Sequence, residues 1–187
     1  MPHVEVTEGI PGIIGLMERY PESGRVLNEL AQVLLRGREG LTPAERELIA
    51  TYVSSLNRCF FCTSSHAAAA RHLLDDGAAI VDAVVRDYRE APVTPRLRAL
   101  LAIAGRVQEG GRGVGEAEVR AARDQGATDR EIHDTVLIAA AFCMYNRYVD
   151  GLATWAPDDP ALFDGIGRRL AADGYAPWLE RAAAAAA

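Results

Sequence analysis

Apolar residues recur at three- and four-residue spacings along most of the chain, and no stretch shows sustained alternation. That pattern predicts helices and no sheet. From Ser23 the stripe runs through Val26, Leu27, Leu30, Val33, Leu34 and Leu35 and stops at Gly37. Thr42-Pro43-Ala44-Glu45 is a strong helix start: Thr42 caps, Pro43 suits the first helical position and Glu45 completes a capping box. The apolar face behind it is Leu48, Ile49, Tyr52, Val53 and Leu56. A second helix is expected over about 57–75, ending at Gly77, and a short one over 79–86. Thr94-Pro95 opens another with Leu97, Leu100, Leu101 and Ile103, which Gly110-Gly111-Arg112-Gly113 breaks. Thr128-Asp129-Arg130-Glu131 is a second capping box, and its helix runs towards Gly151.

Long helical patterns joined by Gly/Pro breaks predict an all-α helical bundle. The length, 187 residues, suits one domain over 1–187. Residues 1–22, with Gly9-Ile10-Pro11-Gly12-Ile13-Ile14-Gly15, are expected to form an irregular apolar N-terminal arm packed on the body. Residues 156–187 are expected as a polar, Gly/Pro-punctuated C-terminal extension up to Trp178, and the terminal alanines receive no function. Leu41-Thr42-Pro43-Ala44-Glu45-Arg46-Glu47-Leu48 shares Thr-Pro, then Arg, then Leu with Val93-Thr94-Pro95-Arg96-Leu97-Arg98-Ala99-Leu100. Either a duplication or helix-start chemistry alone produces this likeness.

Composition narrows the function. Hydrophobic residues make up 49% and charged residues 25%, with a net charge of −6, so the chain has ample apolar surface to bury and no electrostatic reason to seek nucleic acid or an anionic membrane. The longest apolar run, residues 136–145, is about half of the ~20 residues a membrane helix needs. The N-terminus lacks the basic and apolar regions of a secretory signal, so a cytoplasmic location is expected. There, a close cysteine pair means metal binding or redox chemistry more often than a structural staple.

That pair is Cys59-Phe60-Phe61-Cys62. On a helix, residues three apart share a face with alpha carbons about 5 Å apart, a separation a disulfide accepts. With Asn57 as N-cap, both cysteines would stand in the first turns, where free N–H groups favour thiolate. His66 follows Cys62 by four residues on the same face and can carry a thiol proton near neutral pH. Glu47 points away from Leu48, Tyr52 and Leu56, among the small residues Ala50, Thr51 and Ser54. Small neighbours admit a second helix, so Glu47 is expected to be enclosed against the Cys/His face, with burial raising its pKa. Other readings stand beside this one. Zinc would take Cys59, Cys62 and His66 with a fourth ligand from Glu47, His72 or His133. His66 alone also has a reading as a core histidine, and Glu47 one as an ordinary helix acid. Phe60 and Phe61 either shape a pocket over the thiols or belong to the core. Cys143 reads as a buried structural residue. Asn146, Arg147 and Asp150 form a further polar cluster, read as structural, with Arg147 pairing an acid across a subunit contact or tying to Asp150 one turn away.

Taken together, Glu47, eleven residues, then Cys59-x-x-Cys62-x-x-x-His66 resembles the signature of the AhpD-like alkylhydroperoxidase branch of the carboxymuconolactone decarboxylase superfamily. The lead-in over 41–50, Glu131-Ile132 and the segment Asn146-Arg147-Tyr148-Val149-Asp150-Gly151-Leu152 are similar to its peroxidase-related members, so the likeness spans roughly residues 10–155. The resemblance implies an all-helical fold assembling as a homo-oligomer, whether dimer, trimer or hexamer. It also implies Cys62 as the peroxide-attacking cysteine, Cys59 as the resolving one, and Glu47 and His66 as the proton relay. One departure concerns peroxide specificity and the reductant: the best-known members carry a second histidine directly before the attacking cysteine, where this chain has Phe61.

The expectation is therefore a thiol-dependent hydroperoxide reductase using no metal or other cofactor, with a small hydroperoxide as substrate and a dithiol as electron donor. One rival is a decarboxylase like the superfamily's namesake, which has no use for a dithiol. Another is a non-enzymatic redox sensor or adaptor using the same disulfide.

Overall fold

The helix opened by Thr42 lies at the centre of the protein, buried on almost every side from Ala44 to Ser54. The computed structural model describes residues 1–176. These form nine α-helices and, among the described residues, no strand: α1 Gly12–Arg19, α2 Pro21–Leu35, α3 Pro43–Leu56, α4 Phe60–Leu73, α5 Gly77–Asp87, α6 Pro95–Glu109, α7 Glu116–Asp124, α8 Asp129–Gly151 and α9 Pro160–Asp173, with a 3₁₀ turn at Gly111–Gly113. Trp178 and the terminal alanines lie outside the described residues. Among those described, no helix is long and apolar enough to cross a membrane.

Three helix starts are as the threonine caps predict. The Thr42 side chain accepts from the Glu45 N–H while Glu45 returns a bond to the Thr42 backbone, and Thr128 and Glu131 repeat the box at the head of α8. Thr94 caps α6 through the Leu97 N–H. Arg96 then joins both boxes, its guanidinium reaching Glu45 and Glu131.

α3 packs against α4, α6 and α8, and Leu48, Ile49, Val53, Leu100, Leu101, Ile103 and Ile138 are almost wholly removed from water. Each such side chain contributes ~1.5–3 kcal/mol. Val26 and Val33, which the spacing placed in the α2 stripe, are exposed, as is Leu56. Helical spacing marks a face, and only packing decides how wide the covered part of it is.

Two segments differ from expectation. The N-terminal arm contains α1, which buries Leu16 and Met17. Residues expected as a polar extension contain α9, which lies along α4 with Phe163, Ile166 and Gly167 buried. Gly167 explains the closeness. A Cβ there would stand 2.5 Å from Ala68, so only glycine lets α9 approach the alanine run of residues 67–70. The short apolar repeat of α9 reads as solvated until that alanine face is available to cover it.

Candidate active site

The turn between α3 and α4 sets the cysteines. α3 ends at Leu56 with Asn57 as its C-cap, and Arg58 adopts φ 61°, a left-handed conformation that costs a non-glycine residue roughly 1–2 kcal/mol. The reversal brings the Cys59 N–H to the Ser54 carbonyl at 3.1 Å. Cys59 itself is the extended N-cap residue of α4. The expected Asn57 cap is thus corrected: Asn57 donates to Asn146 Oδ1 at 2.8 Å and accepts from Gln108 Nε2 at 3.0 Å, so its side chain ties three helices together. Cys62 stands at the third position of α4, within the first turn, where unsatisfied N–H groups favour negative charge.

Both cysteines are buried. They differ in surroundings. Cys62 borders a cavity of about 470 Å³ together with Phe61, Ser65 and His66. Cys59 is fully buried, clustered with Val149 and Phe163. The Cys62 side chain beside it, then burial, push the Cys59 thiol well above its ordinary pKa, and Asp150 adds to the effect.

Glu47 is brought to His66. Its Oε2 lies 2.7 Å from His66 Nδ1, and its Oε1 accepts from Arg36 Nη1 at 2.8 Å and from the Tyr175 hydroxyl at 3.1 Å. The carboxylate has no solvent exposure. Burial pushes its pKa up, as expected from sequence, but the charges and hydrogen bonds of His66 and Arg36 outweigh that and leave it below the ordinary value. The expectation of a raised pKa is therefore corrected; its omission was Arg36, the C-cap of α2. A buried carboxylate with a guanidinium partner stays ionised. An ionised carboxylate only accepts, so His66 Nδ1 carries a proton and donates it to Glu47, and Nε2 is the nitrogen left for other chemistry. The imidazole stands edge-on to Phe142, ring centroids 4.6 Å apart.

The remaining candidates lie elsewhere. His72 bonds Asp164 at 2.8 Å and His133 bonds Asp134 at 3.0 Å, and among the described residues no three His, Cys, Asp or Glu side chains gather as a metal site. Phe61 lines the cavity while Phe60 is largely exposed, its ring edge against Phe163. Cys143 is half-buried, its sulfur accepting from Asn57 Nδ2 at 3.6 Å. Asn146 is buried and bonds Ser54. Arg147 donates to the Cys143 carbonyl at 2.7 Å, not to Asp150. Sequence reasoning missed Arg36, Ser65 and Tyr175. Ser65 is buried, borders the cavity, and its hydroxyl has no hydrogen-bond partner among the described residues.

Apolar lining of the same cavity comes from Ile13, Ile14 and Met17 of α1 and Leu162, Ile166 and Leu170 of α9. The cavity size is that of a small-molecule site.

Comparison with known proteins finds relatives in sequence and in fold. The sequence model described as the Carboxymuconolactone decarboxylase family matches residues 21–88 and 76–156. No curated protein matches the chain significantly. Among solved structures, the alkylhydroperoxidase AhpD core of an uncharacterized peroxidase-related protein from Ralstonia eutropha JMP134 is 30% identical, with 85% of this chain and 82% of that one covered and a TM-score of 0.75. An uncharacterized peroxidase-related protein from Silicibacter sp. TM1040 is also 30% identical, over 82% and 80% of the two chains, at a TM-score of 0.72. A protein of unknown function from Agrobacterium tumefaciens, 23% identical over 83% of this chain and all of its own (100%), shares the fold at a TM-score of 0.67.

Proposed function

The chain belongs to the carboxymuconolactone decarboxylase family, and on that premise we propose that it is a thiol-dependent hydroperoxide reductase. The observation that carries the reading is the 2.7 Å bond between Glu47 and His66, with His66 and Cys62 bordering one cavity. His66 Nε2 takes the Cys62 proton, and the buried Glu47 carboxylate stabilises the imidazolium that results. The Cys62 thiolate attacks one peroxide oxygen. The O–O bond breaks, sulfur is oxidised to sulfenic acid, and the departing alkoxide takes the proton from His66 and leaves as an alcohol. The unpartnered Ser65 hydroxyl supports a donor to that departing oxygen.

Cys59 then attacks the sulfenic sulfur, releasing water and forming the Cys59–Cys62 disulfide. Its raised pKa and its place outside the cavity wall suit the second thiol rather than the first. The proton Cys59 loses goes to the departing hydroxide, which leaves as that water. A dithiol donor restores both thiols by exchange, itself becoming the disulfide. Self-association into a homo-oligomer is part of the same proposal.

Cumene hydroperoxide consumption with dithiothreitol tests the reading. Cys62→Ser is expected to abolish turnover while far-UV circular dichroism stays unchanged, and turnover surviving in that variant would end it. A decarboxylase would retain its activity in Cys59→Ser/Cys62→Ser.

A further inference from the structure

α2 carries a polar stripe that has no role in the scheme above. Asn28, Gln32 and Arg36 recur at intervals of four and so share one side of the helix and its cap. Asn28 is buried, at 4% exposure. A buried amide costs stability unless it is bonded, and each of these residues bonds the same segment. Asn28 Nδ2 donates to the Tyr175 carbonyl at 2.8 Å, Gln32 Oε1 accepts from the Tyr175 N–H at 2.7 Å, and Arg36 Nη2 donates to the Leu170 carbonyl at 2.7 Å. Gly174, at φ 66°, ends α9 and turns the chain back onto the stripe.

The consequence lies at the end of that turn. The Tyr175 hydroxyl reaches Glu47 Oε1 at 3.1 Å and lies 3.4 Å from His66 Nδ1; its ring stacks near the imidazole with centroids 6.5 Å apart. The Arg36 guanidinium sits over the Tyr175 ring, 5.3 Å from its centre. Oε1 thereby holds two donors, and Oε2 is left to His66 alone. Tyr175 falls outside both segments matched to the family.

We propose that Tyr175, docked by the Asn28–Gln32–Arg36 stripe, is a positioning residue that orients the Glu47 carboxylate towards His66 and tempers its charge. The inference rests on reading Cys62, His66 and Glu47 as one proton-transfer unit. With the hydroxyl gone, Glu47 loses one of the donors that share its charge. It then polarises the imidazole more strongly, and the thiolate–imidazolium pair forms at lower pH.

The test is the rate of Cys62 alkylation by iodoacetamide against pH, followed by mass spectrometry. Tyr175→Phe keeps the ring and removes only the hydroxyl. Its midpoint is expected to fall by about half a pH unit, and its kcat for cumene hydroperoxide to fall about tenfold at unchanged KM. Gln32→Ala, which removes one tether of the segment, is expected to move the midpoint in the same direction by less. A purely structural tyrosine would leave the midpoint where it was. An unchanged or raised midpoint in Tyr175→Phe therefore overturns the proposal, whatever its turnover. Should the wild-type protein leave the hydroperoxide unreduced, the peroxidase reading fails, while the alkylation profile still decides the role of Tyr175.

Discussion

Arg46 and Glu47 are adjacent on α3, oppositely charged and both withdrawn from water, at 1% and 0% exposure, yet they face different surroundings. Arg46 donates to the carbonyls of Leu41, Leu34 and Glu39 and to Asp134 at 2.7 Å. Its donors are spent on backbone and one carboxylate, and it borders no described cavity. Glu47 also has a full set of partners, but one of them is a histidine whose other nitrogen is free and whose ring borders a cavity beside a thiol. Burial of charge is common to both. An imidazole placed between the buried charge and an accessible space is what separates a clamp from a proton relay.

The largest expected effect breaks the clamp. Arg46→Ala frees three buried carbonyls and leaves Asp134 with only Arg130 and His133 as partners, so stability is expected to fall by ~3–5 kcal/mol. Urea denaturation followed by circular dichroism reads this directly. A loss below 1 kcal/mol would mean that the Arg46 cluster is not a clamp.

Next comes the relay. Glu47→Gln keeps the side-chain shape but removes the charge that fixes the His66 proton on Nδ1. Peroxide turnover is expected to drop about 100-fold, or ~2.7 kcal/mol in the barrier, with the helical signal retained. If the two variants exchanged phenotypes, with Arg46→Ala folded but inactive and Glu47→Gln unfolded, the comparison would be reversed.

The smallest effect is in acid. Glu47 and Asp134 both ionise below their ordinary values of 4.5 and 3.8. In each case burial acts upward but is outweighed, by His66 and Arg36 at Glu47 and by His133, Arg130 and Arg46 at Asp134. A depressed carboxylate pKa contributes stability that is present above the unfolded value and lost as pH falls through the folded one. Stability is therefore expected to decline below about pH 4.5, the unfolded value for Glu47. In Glu47→Gln the decline should begin lower, with only the Asp134 share remaining; denaturation midpoints across the acid range would show whether the two curves separate.

Much of this site is legible in the residues alone. Thr42 with Glu45 and Thr128 with Glu131 announce helix starts because a cap needs only four consecutive residues. The encounter of Glu47 with His66 follows from two helical faces and from the small side chains at Ala50, Thr51 and Ser54 that let those faces meet. Arg36 and Tyr175 are not legible in this way. Arg36 lies 11 residues from Glu47 and Tyr175 128; nothing in their local pattern distinguishes them from solvated polar residues. The ionisation of Glu47 was misjudged for the same reason, since its sign depends on a partner from another helix.

The sequence by itself determined the all-helical fold, the Thr42, Thr94 and Thr128 caps and the helical faces of Glu47, Cys62 and His66, because helical periodicity and capping act over one or two turns. Only the tertiary structure decided which thiol borders the cavity, that Cys59 is a cap residue outside α4, and that α9 and Tyr175 close over the site. Those outcomes depend on contacts between segments far apart in the chain, such as Gly167 against Ala68, where what a residue does is set by the surface it meets.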